Sequence, residues 1–188
     1  MKRMGILAVQ GAFIEHEKML ANLGAECIEL RQKKDITENH FDGIILPGGE
    51  SIVQGKLLRE LDMLVPLKKL IQDGIPVLAT CAGLILLAEE ITNDENRYFA
   101  TLPVTVQRNA YGRQCGSFIA EEKFLGVGNS VMHFIRAPSI ERVENSCEVL
   151  AQVRGKPVAV RWKNQNALAF HPEVGTDDRI HRLFLNQC

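Results

Sequence analysis

The sequence lacks any apolar run long enough to cross a bilayer. Its longest, around Ala82–Ala88, falls far short of the roughly 20 residues that a spanning helix needs. It also lacks a surplus of either charge. The 22 Lys and Arg against 23 Asp and Glu leave a net −1, so no long-range field draws it to nucleic acid or to an anionic membrane. No basic run interleaved with aromatics appears. No pair of cysteines has CxxC spacing, and the total of five (Cys27, Cys81, Cys115, Cys147, Cys188) is odd. That argues against a disulfide framework and against a zinc site. The start, MKRMGILAVQGAF, has neither the long apolar region nor the small-residue cleavage site of a signal peptide, and reads as a first strand. The expected address is the cytosol.

What is present is an ordinary globular balance, 46% hydrophobic and 24% charged. The 188 residues suit one domain spanning 1–188, with no internal repeat or linker. The first half alternates strand and helix patterns. Short apolar runs at Gly5–Val9, Cys27–Leu30, Gly43–Leu46 and Pro76–Ala79 predict strands. Helical spacing is expected over Phe13–Leu23, over Ile52–Leu70 with a possible break near Pro66, and over Ala82–Glu90. This alternation implies an α/β fold with parallel strands and helices on both faces. The second half changes character. Strands are expected at Val104–Gln107, Ser117–Ala120, Val131–Ile135, Val149–Val153, Val158–Trp162 and Ala167–Phe170, as an antiparallel extension or a small side sheet. A closing helix over Asp177–Asn186 is expected, capped by Thr176 or Asp177.

In a doubly wound sheet, sites form beyond the carboxyl ends of strands. Three features fall there. The first is Thr80-Cys81-Ala82-Gly83, a buried strand turning sharply into a helix. This is a nucleophile elbow with cysteine in the serine position. A helix start favours the thiolate, and the Ala82 N–H points where an oxyanion would form. A core cysteine at a strand end fits the local sequence equally well, and the other four cysteines read as small buried hydrophobes, with terminal Cys188 expected to be exposed. The second feature is His171-Pro172-Glu173. The rigid proline lets Glu173 reach the far ring nitrogen and fix the tautomer. His16, His40, His133 and His181 show no comparable partner and read as surface or helix residues. The third is Pro47-Gly48-Gly49-Glu50-Ser51, a tight turn that can bring N–H groups close to a ligand. It has no P-loop lysine, and Glu50 suits an ammonium group better than a phosphate. A plain helix-capping turn is the alternative.

Together these motifs resemble the triad, or class I, glutamine amidotransferases. Six segments in order narrow the resemblance: Leu7–Ala12 with Glu15-His16, Leu46–Ser51, Thr80–Leu84, Arg108-Asn109 with Tyr111–Gln114, Phe134–Pro138 and Phe170–Glu173. They are similar to the glutaminase subunit of pyridoxal 5′-phosphate synthase from end to end. The resemblance implies a flavodoxin-like three-layer sandwich, its central sheet mostly parallel with an antiparallel extension. It implies a triad of Cys81, His171 and Glu173, and an oxyanion site at Gly49 and Ala82. It implies that L-glutamine is held by Gly49, Glu50, Ser51, Arg108, Ile135 and Arg136, and that no metal or organic cofactor is needed. It implies, further, that the ammonia passes to a separate (β/α)₈-barrel synthase subunit. The free glutaminase is expected to be poorly active until docked, because the Gly48-Gly49 turn must rearrange. Gln10 and the segment near His16 are expected to face that partner.

Two positions depart from the family pattern. Ala79 stands where glycine is usual, a methyl that is expected to crowd the elbow, and Cys115-Gly116 stand where Val-Asp is common. Other readings are a glutaminase for another pathway, such as histidine biosynthesis, a non-catalytic module of the same fold, and a cysteine-dependent stress protein.

Overall fold

A computed structural model describes residues 1–92, 94–109 and 117–188. Twelve strands are built among them: β1 (Arg3–Leu7), β2 (Glu26–Leu30), β3 (Gly43–Leu46), β4 (Val77–Thr80), β5 (Ala88–Ile91), β6 (Leu102–Gln107), β7 (Ser117–Phe124), β8 (Gly128–Ile135), β9 (Ser139–Val143), β10 (Glu148–Val153), β11 (Lys156–Trp162) and β12 (Gln165–Leu168). Six α-helices accompany them: α1 (Phe13–Asn22), α2 (Lys33–Thr37), α3 (Ser51–Glu60), α4 (Leu64–Gln72), α5 (Ala82–Leu87) and α6 (Arg179–Leu185).

Nine strands form one sheet in the order β2-β1-β3-β4-β12-β11-β10-β7-β8. β2, β1, β3, β4 and β12 pair in parallel, and the remaining four add in antiparallel fashion. The burial patterns explain the division. β3, β4 and β12 are buried at every residue, as strands covered on both faces must be. β8 alternates buried and exposed positions and the first half of β7 alternates exposed and half-buried ones, the mark of a sheet with one wet face. Both alternatives raised for the second half occur, because β5, β6 and β9 form a separate three-stranded sheet.

Several boundaries differ from expectation, among them the last strand, expected at Ala167–Phe170 and found at Gln165–Leu168. The helix expected over Ile52–Leu70 is two helices, interrupted at Leu61-Asp62-Met63, where Asp62 takes φ 55°. Pro66 lies in the first turn of α4, where its missing N–H breaks no helix bond. The helix expected to reach Glu90 stops at Leu87, because Ala88–Ile91 pairs with β6 instead. The closing helix starts at Arg179 behind Asp178, without a side-chain cap. Among the described residues, no helix is long and apolar enough to cross a membrane.

The parallel order β2-β1-β3-β4-β12 places the carboxyl ends of β1, β3, β4 and β12 at one rim. The segments that follow them are Gln10-Gly11-Ala12, Pro47–Ser51, Cys81 and His171, and all converge there.

Candidate active site

β4 holds Cys81 from both sides. It pairs with β3 and β12, and the Cys81 N–H donates to the Leu168 carbonyl at 2.8 Å. Cys81 takes φ 48° and ψ −101°, and α5 begins at the next residue. A side chain in such a region costs on the order of 1–3 kcal/mol and persists only where its surroundings over-determine it. Here the strand and the helix supply that constraint. The thiol points into a cleft, with Sγ 4.0 Å from the Ile135 carbonyl. Ala79 is fully buried in regular register between Leu46 and Ala167, and its backbone is not left-handed. The unusual dihedral belongs to Cys81 itself.

His171 follows β12 by three residues, its N–H bound to the His133 carbonyl at 2.8 Å. Pro172 opens a single 3₁₀ turn, which folds Glu173 back under the ring. Nδ1 of His171 lies 2.7 Å from Glu173 Oε1. Burial opposes the charged form of His171, yet hydrogen bonds and charge from Cys81 and Glu173 outweigh it and lift the pKa to about 10. Burial likewise works against the Glu173 carboxylate, but His16 and His171 hold its pKa below the usual value.

The glycine turn closes the cleft. Gly48 donates its N–H to Thr80 Oγ1 at 3.0 Å, and its carbonyl accepts from the Ala12 N–H at 2.9 Å. A Cβ at Gly48 would overlap the His171 ring, so only glycine permits this approach. Gly11, at φ 108°, is pressed against the Gly48 carbonyl in the same way. Gln10 Oε1 accepts the Glu50 N–H at 2.9 Å, and fully buried Gln54 donates to the Gln10 carbonyl at 2.9 Å.

A cavity of about 200 Å³ opens above Cys81. Its wall contains Cys81 and His171 together with every residue expected to hold glutamine: Gly49, Glu50, Ser51, Arg108, Ile135 and Arg136. Glu50 and Arg136 pair across the mouth at 2.6 Å, and the Arg108 guanidinium meets Asp94 at 2.7 Å. Glu173 lies behind His171, outside the cavity. Ala82, the first residue of α5, is buried beneath the thiol. Tyr111–Gln114 and Cys115-Gly116 lie outside the described residues.

Two histidines read as surface or helix residues are neither exposed nor unpartnered. His16 and His181 are fully buried, with His16 Nδ1 2.9 Å from His181 Nε2. His16 Nε2 reaches Thr80 Oγ1 at 3.1 Å and Glu173 Oε2 at 3.4 Å. A sequence signal existed, since Phe13, His16 and Leu20 share one stripe of α1. The other cysteines also need correction. Cys27, Cys147 and Cys188 are half-buried rather than buried, and Cys188 is not exposed as expected but packs against the core. Burial pushes the Cys27 and Cys188 thiols up to about 11, which suppresses their thiolates at neutral pH.

Fold and site thus define a protein of the class I glutamine amidotransferase type: a flavodoxin-like sheet with a Cys, His and Glu set at its carboxyl rim. The chain belongs to the SNO glutamine amidotransferase family, which it matches over residues 6–188. It is 64% identical over 184 residues to the pyridoxal 5′-phosphate synthase subunit PdxT of Desulfitobacterium hafniense (strain Y51), covering 98% of this chain and 92% of that one. It is 50% identical over 188 residues to the subunit of the same name from Streptococcus pneumoniae (strain ATCC 700669 / Spain 23F-1), covering 99% and 97%. A crystal structure of a glutamine amidotransferase superposes with a TM-score of 0.92 at 40% identity, covering 98% and 97% of the two chains. A glutamine amidotransferase from Thermotoga maritima shares the fold, with a TM-score of 0.63 at 15% identity over 99% of this chain and 83% of that one.

Proposed function

We propose that this chain is the glutaminase subunit of a pyridoxal 5′-phosphate synthase, a cytoplasmic enzyme whose residues 1–188 act as one glutamine amidotransferase domain. The observation that carries the reading is the shared cavity. Cys81 and His171 face the same space as the six residues expected to hold glutamine, and Glu173 backs the imidazole. The identity of the relatives at 64% and 50%, both pyridoxal 5′-phosphate synthase subunits, supports the pathway over histidine biosynthesis.

The chemistry follows from the geometry. The Cys81 thiolate attacks the side-chain amide carbon of L-glutamine. The developing oxyanion is met by the backbone N–H groups of Gly49 and Ala82. His171 gives its proton to the leaving nitrogen, the C–N bond breaks, and ammonia departs from a γ-glutamyl thioester. Water then loses a proton to His171, attacks the thioester, and releases glutamate and the thiolate. Glu173 holds the imidazole in one tautomer through Nδ1. Glu50 offers a carboxylate to the substrate ammonium, and Arg108 and Arg136 offer guanidinium groups to its carboxylate. The ammonia serves a barrel-shaped synthase subunit docked at the cavity rim.

Glutamate release should be measured with and without that synthase, for wild type and for Cys81→Ala. Wild type is expected to turn over and to accelerate on docking, while Cys81→Ala loses roughly 10⁴-fold or more, the scale seen when a nucleophile is removed. Activity that survives in Cys81→Ala refutes the mechanism. Turnover indifferent to the synthase refutes the pathway.

A further inference from the structure

Behind the cavity lies a second polar cluster that the chemistry above leaves unused. His16 comes from α1, His181 from α6 and Thr80 from the end of β4, and all three are fully buried. His16 faces Glu173 Oε2, the oxygen that His171 does not use, and His181 and Thr80 each pair with His16. No solvent reaches the rings, so every proton must be assigned among a few atoms: His181 Nε2 to His16 Nδ1 at 2.9 Å, His16 Nε2 to Thr80 Oγ1 at 3.1 Å and to Glu173 Oε2 at 3.4 Å, and the Gly48 N–H to Thr80 Oγ1 at 3.0 Å.

Burial lowers the pKa of both rings, so each is neutral and carries one proton. Two arrangements exist. In the first, His181 Nε2–H donates to His16 Nδ1, and His16 Nε2–H is presented to Thr80 Oγ1 and Glu173 Oε2. Left over are the lone pair of His181 Nδ1 and the Thr80 hydroxyl proton, since Thr80 Oγ1 then accepts from both His16 and the Gly48 N–H. In the second, the Thr80 hydroxyl donates to His16 Nε2, and His16 Nδ1–H donates to His181. That leaves the His181 Nδ1–H as a buried unpaired donor and Glu173 Oε2 facing a lone pair. Each arrangement leaves one buried donor unpaired, so the carboxylate decides: an ionised oxygen facing an N–H is favoured over one facing a lone pair. The first arrangement is therefore the stable one. Glu173 Oε2 and His181 Nδ1 are indeed the two atoms of the cluster without a hydrogen bond of normal geometry. His16 Nε2–H is thus held mainly by Thr80 and reaches the carboxylate electrostatically.

We infer that His16 is a positioning residue whose Nε2–H steadies both Glu173 and, through Thr80, the Gly48 turn, and that His181 fixes the tautomer this requires. The inference rests on the proposed glutaminase reading. One ring then sets the carboxylate that orients His171 and the hydroxyl that receives the Gly48 N–H. α1 also supports that turn from its own start, through the Ala12 N–H on the Gly48 carbonyl. A ring that merely filled space would be better replaced by leucine or phenylalanine, since a buried imidazole pays desolvation that an apolar side chain does not.

The test compares His16→Leu, which removes the donor, with His16→Gln, whose amide N–H₂ can occupy the place of Nε2–H. Steady-state glutaminase kinetics are read in the complex with the barrel synthase, with circular dichroism and melting temperature as checks on folding. His16→Leu is expected to lose about tenfold or more in kcat with KM for glutamine changed less than about twofold, and His16→Gln to recover to within about threefold of wild type. A folded His16→Leu with kcat within twofold of wild type, or equal losses in both variants, overturns the inference. Should His16→Leu fail to fold, Thr80→Val decides: a similar selective fall in kcat supports the bridge to Gly48, and unchanged kcat refutes it. The rate of Cys81 alkylation by iodoacetamide, followed on its own peptide, needs no glutamine. If wild type proves to be no glutaminase, the proposed function fails alone, and the inference still stands or falls on whether alkylation slows in His16→Leu and recovers in His16→Gln.

Discussion

Glu173 has two sides, and the same carboxylate does different things on each. On the cavity side, Oε1 meets His171 at 2.7 Å, and that imidazole is raised to about 10. On the core side, Oε2 faces His16 at 3.4 Å, and that imidazole is lowered. Burial opposes charge on both rings. The outcome differs because His171 has two acidic neighbours, Cys81 and Glu173, within hydrogen-bond reach. His16 is more deeply buried, and its more distant carboxylate is offset by the charge of His171 beyond Glu173. A carboxylate does not by itself make a histidine basic. What decides is whether direct hydrogen bonds accompany the charge. The cavity side is thereby fitted to move protons, and the core side to hold a fixed dipole.

Glu173→Gln breaks both sides at once and carries the largest expected effect. An amide keeps the shape but removes the charge, and it must point its N–H₂ at one of two rings that already present N–H groups. On the precedent of acid-to-amide changes in serine-protease triads, kcat should fall roughly 10³- to 10⁴-fold, with a modest change in KM. The pH dependence of Cys81 alkylation should shift as well, because His171 loses one of the groups that raise it. A variant within tenfold of wild type would mean that the carboxylate does not organise the imidazole, and the comparison would lose its basis.

Next in size is an effect on stability against pH, where the two sides should have opposite signs. The unfolded chain has histidines near 6.5. His171, raised to about 10, contributes stability that is complete below about 6.5 and is lost as pH climbs toward 10. His181, lowered to about 3, does the reverse: nothing changes above 6.5, and stability falls as pH drops from there toward 3, because only the unfolded chain takes up its proton. His16 acts in the same direction, and Glu173 adds an acid loss below its own unfolded value. His181→Phe therefore should flatten the decline of melting temperature below pH 6.5 by about 5 °C over two pH units, taking one proton per unit as about 1.4 kcal/mol. Parallel curves for wild type and His181→Phe would show that the ring is not held neutral by the fold.

The two sides were unequally legible in the sequence. Cys81, His171-Pro172-Glu173 and the Pro47–Ser51 turn each sit just after a buried strand, so strand ends and residue chemistry located them. The core side could not be read this way. His16 and His181 lie 165 positions apart, and nothing local to either names the other. Only the place of His16 on the buried stripe of α1 hinted at a partner. The fold shows the same division. The parallel strands stand out as short apolar runs because both their faces are covered. β5 and β9 stay hidden because they are short and partly polar, and they are strands only by pairing with β6. α2 was missed for a like reason: it is a five-residue helix with one buried side chain.

The smallest effect belongs to the strand that serves both sides. β4 delivers Thr80 to the core cluster and Cys81 to the cavity, so a disturbance just before them should reach both. Ala79 is the position to change, because the family resemblance led to the expectation that its methyl crowds the elbow. If that methyl strained the elbow, Ala79→Gly would raise activity. The geometry predicts otherwise. Ala79 sits in regular strand register, and the left-handed dihedral is confined to Cys81. Glycine there removes packing and adds freedom to the unfolded chain, a loss of about 1 kcal/mol or some 2–4 °C in melting temperature. That loss should be independent of pH, unlike the effect of His181→Phe, and kcat should stay within about twofold. A clear gain in kcat for Ala79→Gly would place strain upstream of the nucleophile, and the difference between the two sides of Glu173 would then have to be sought in β4 rather than in the neighbours of each ring.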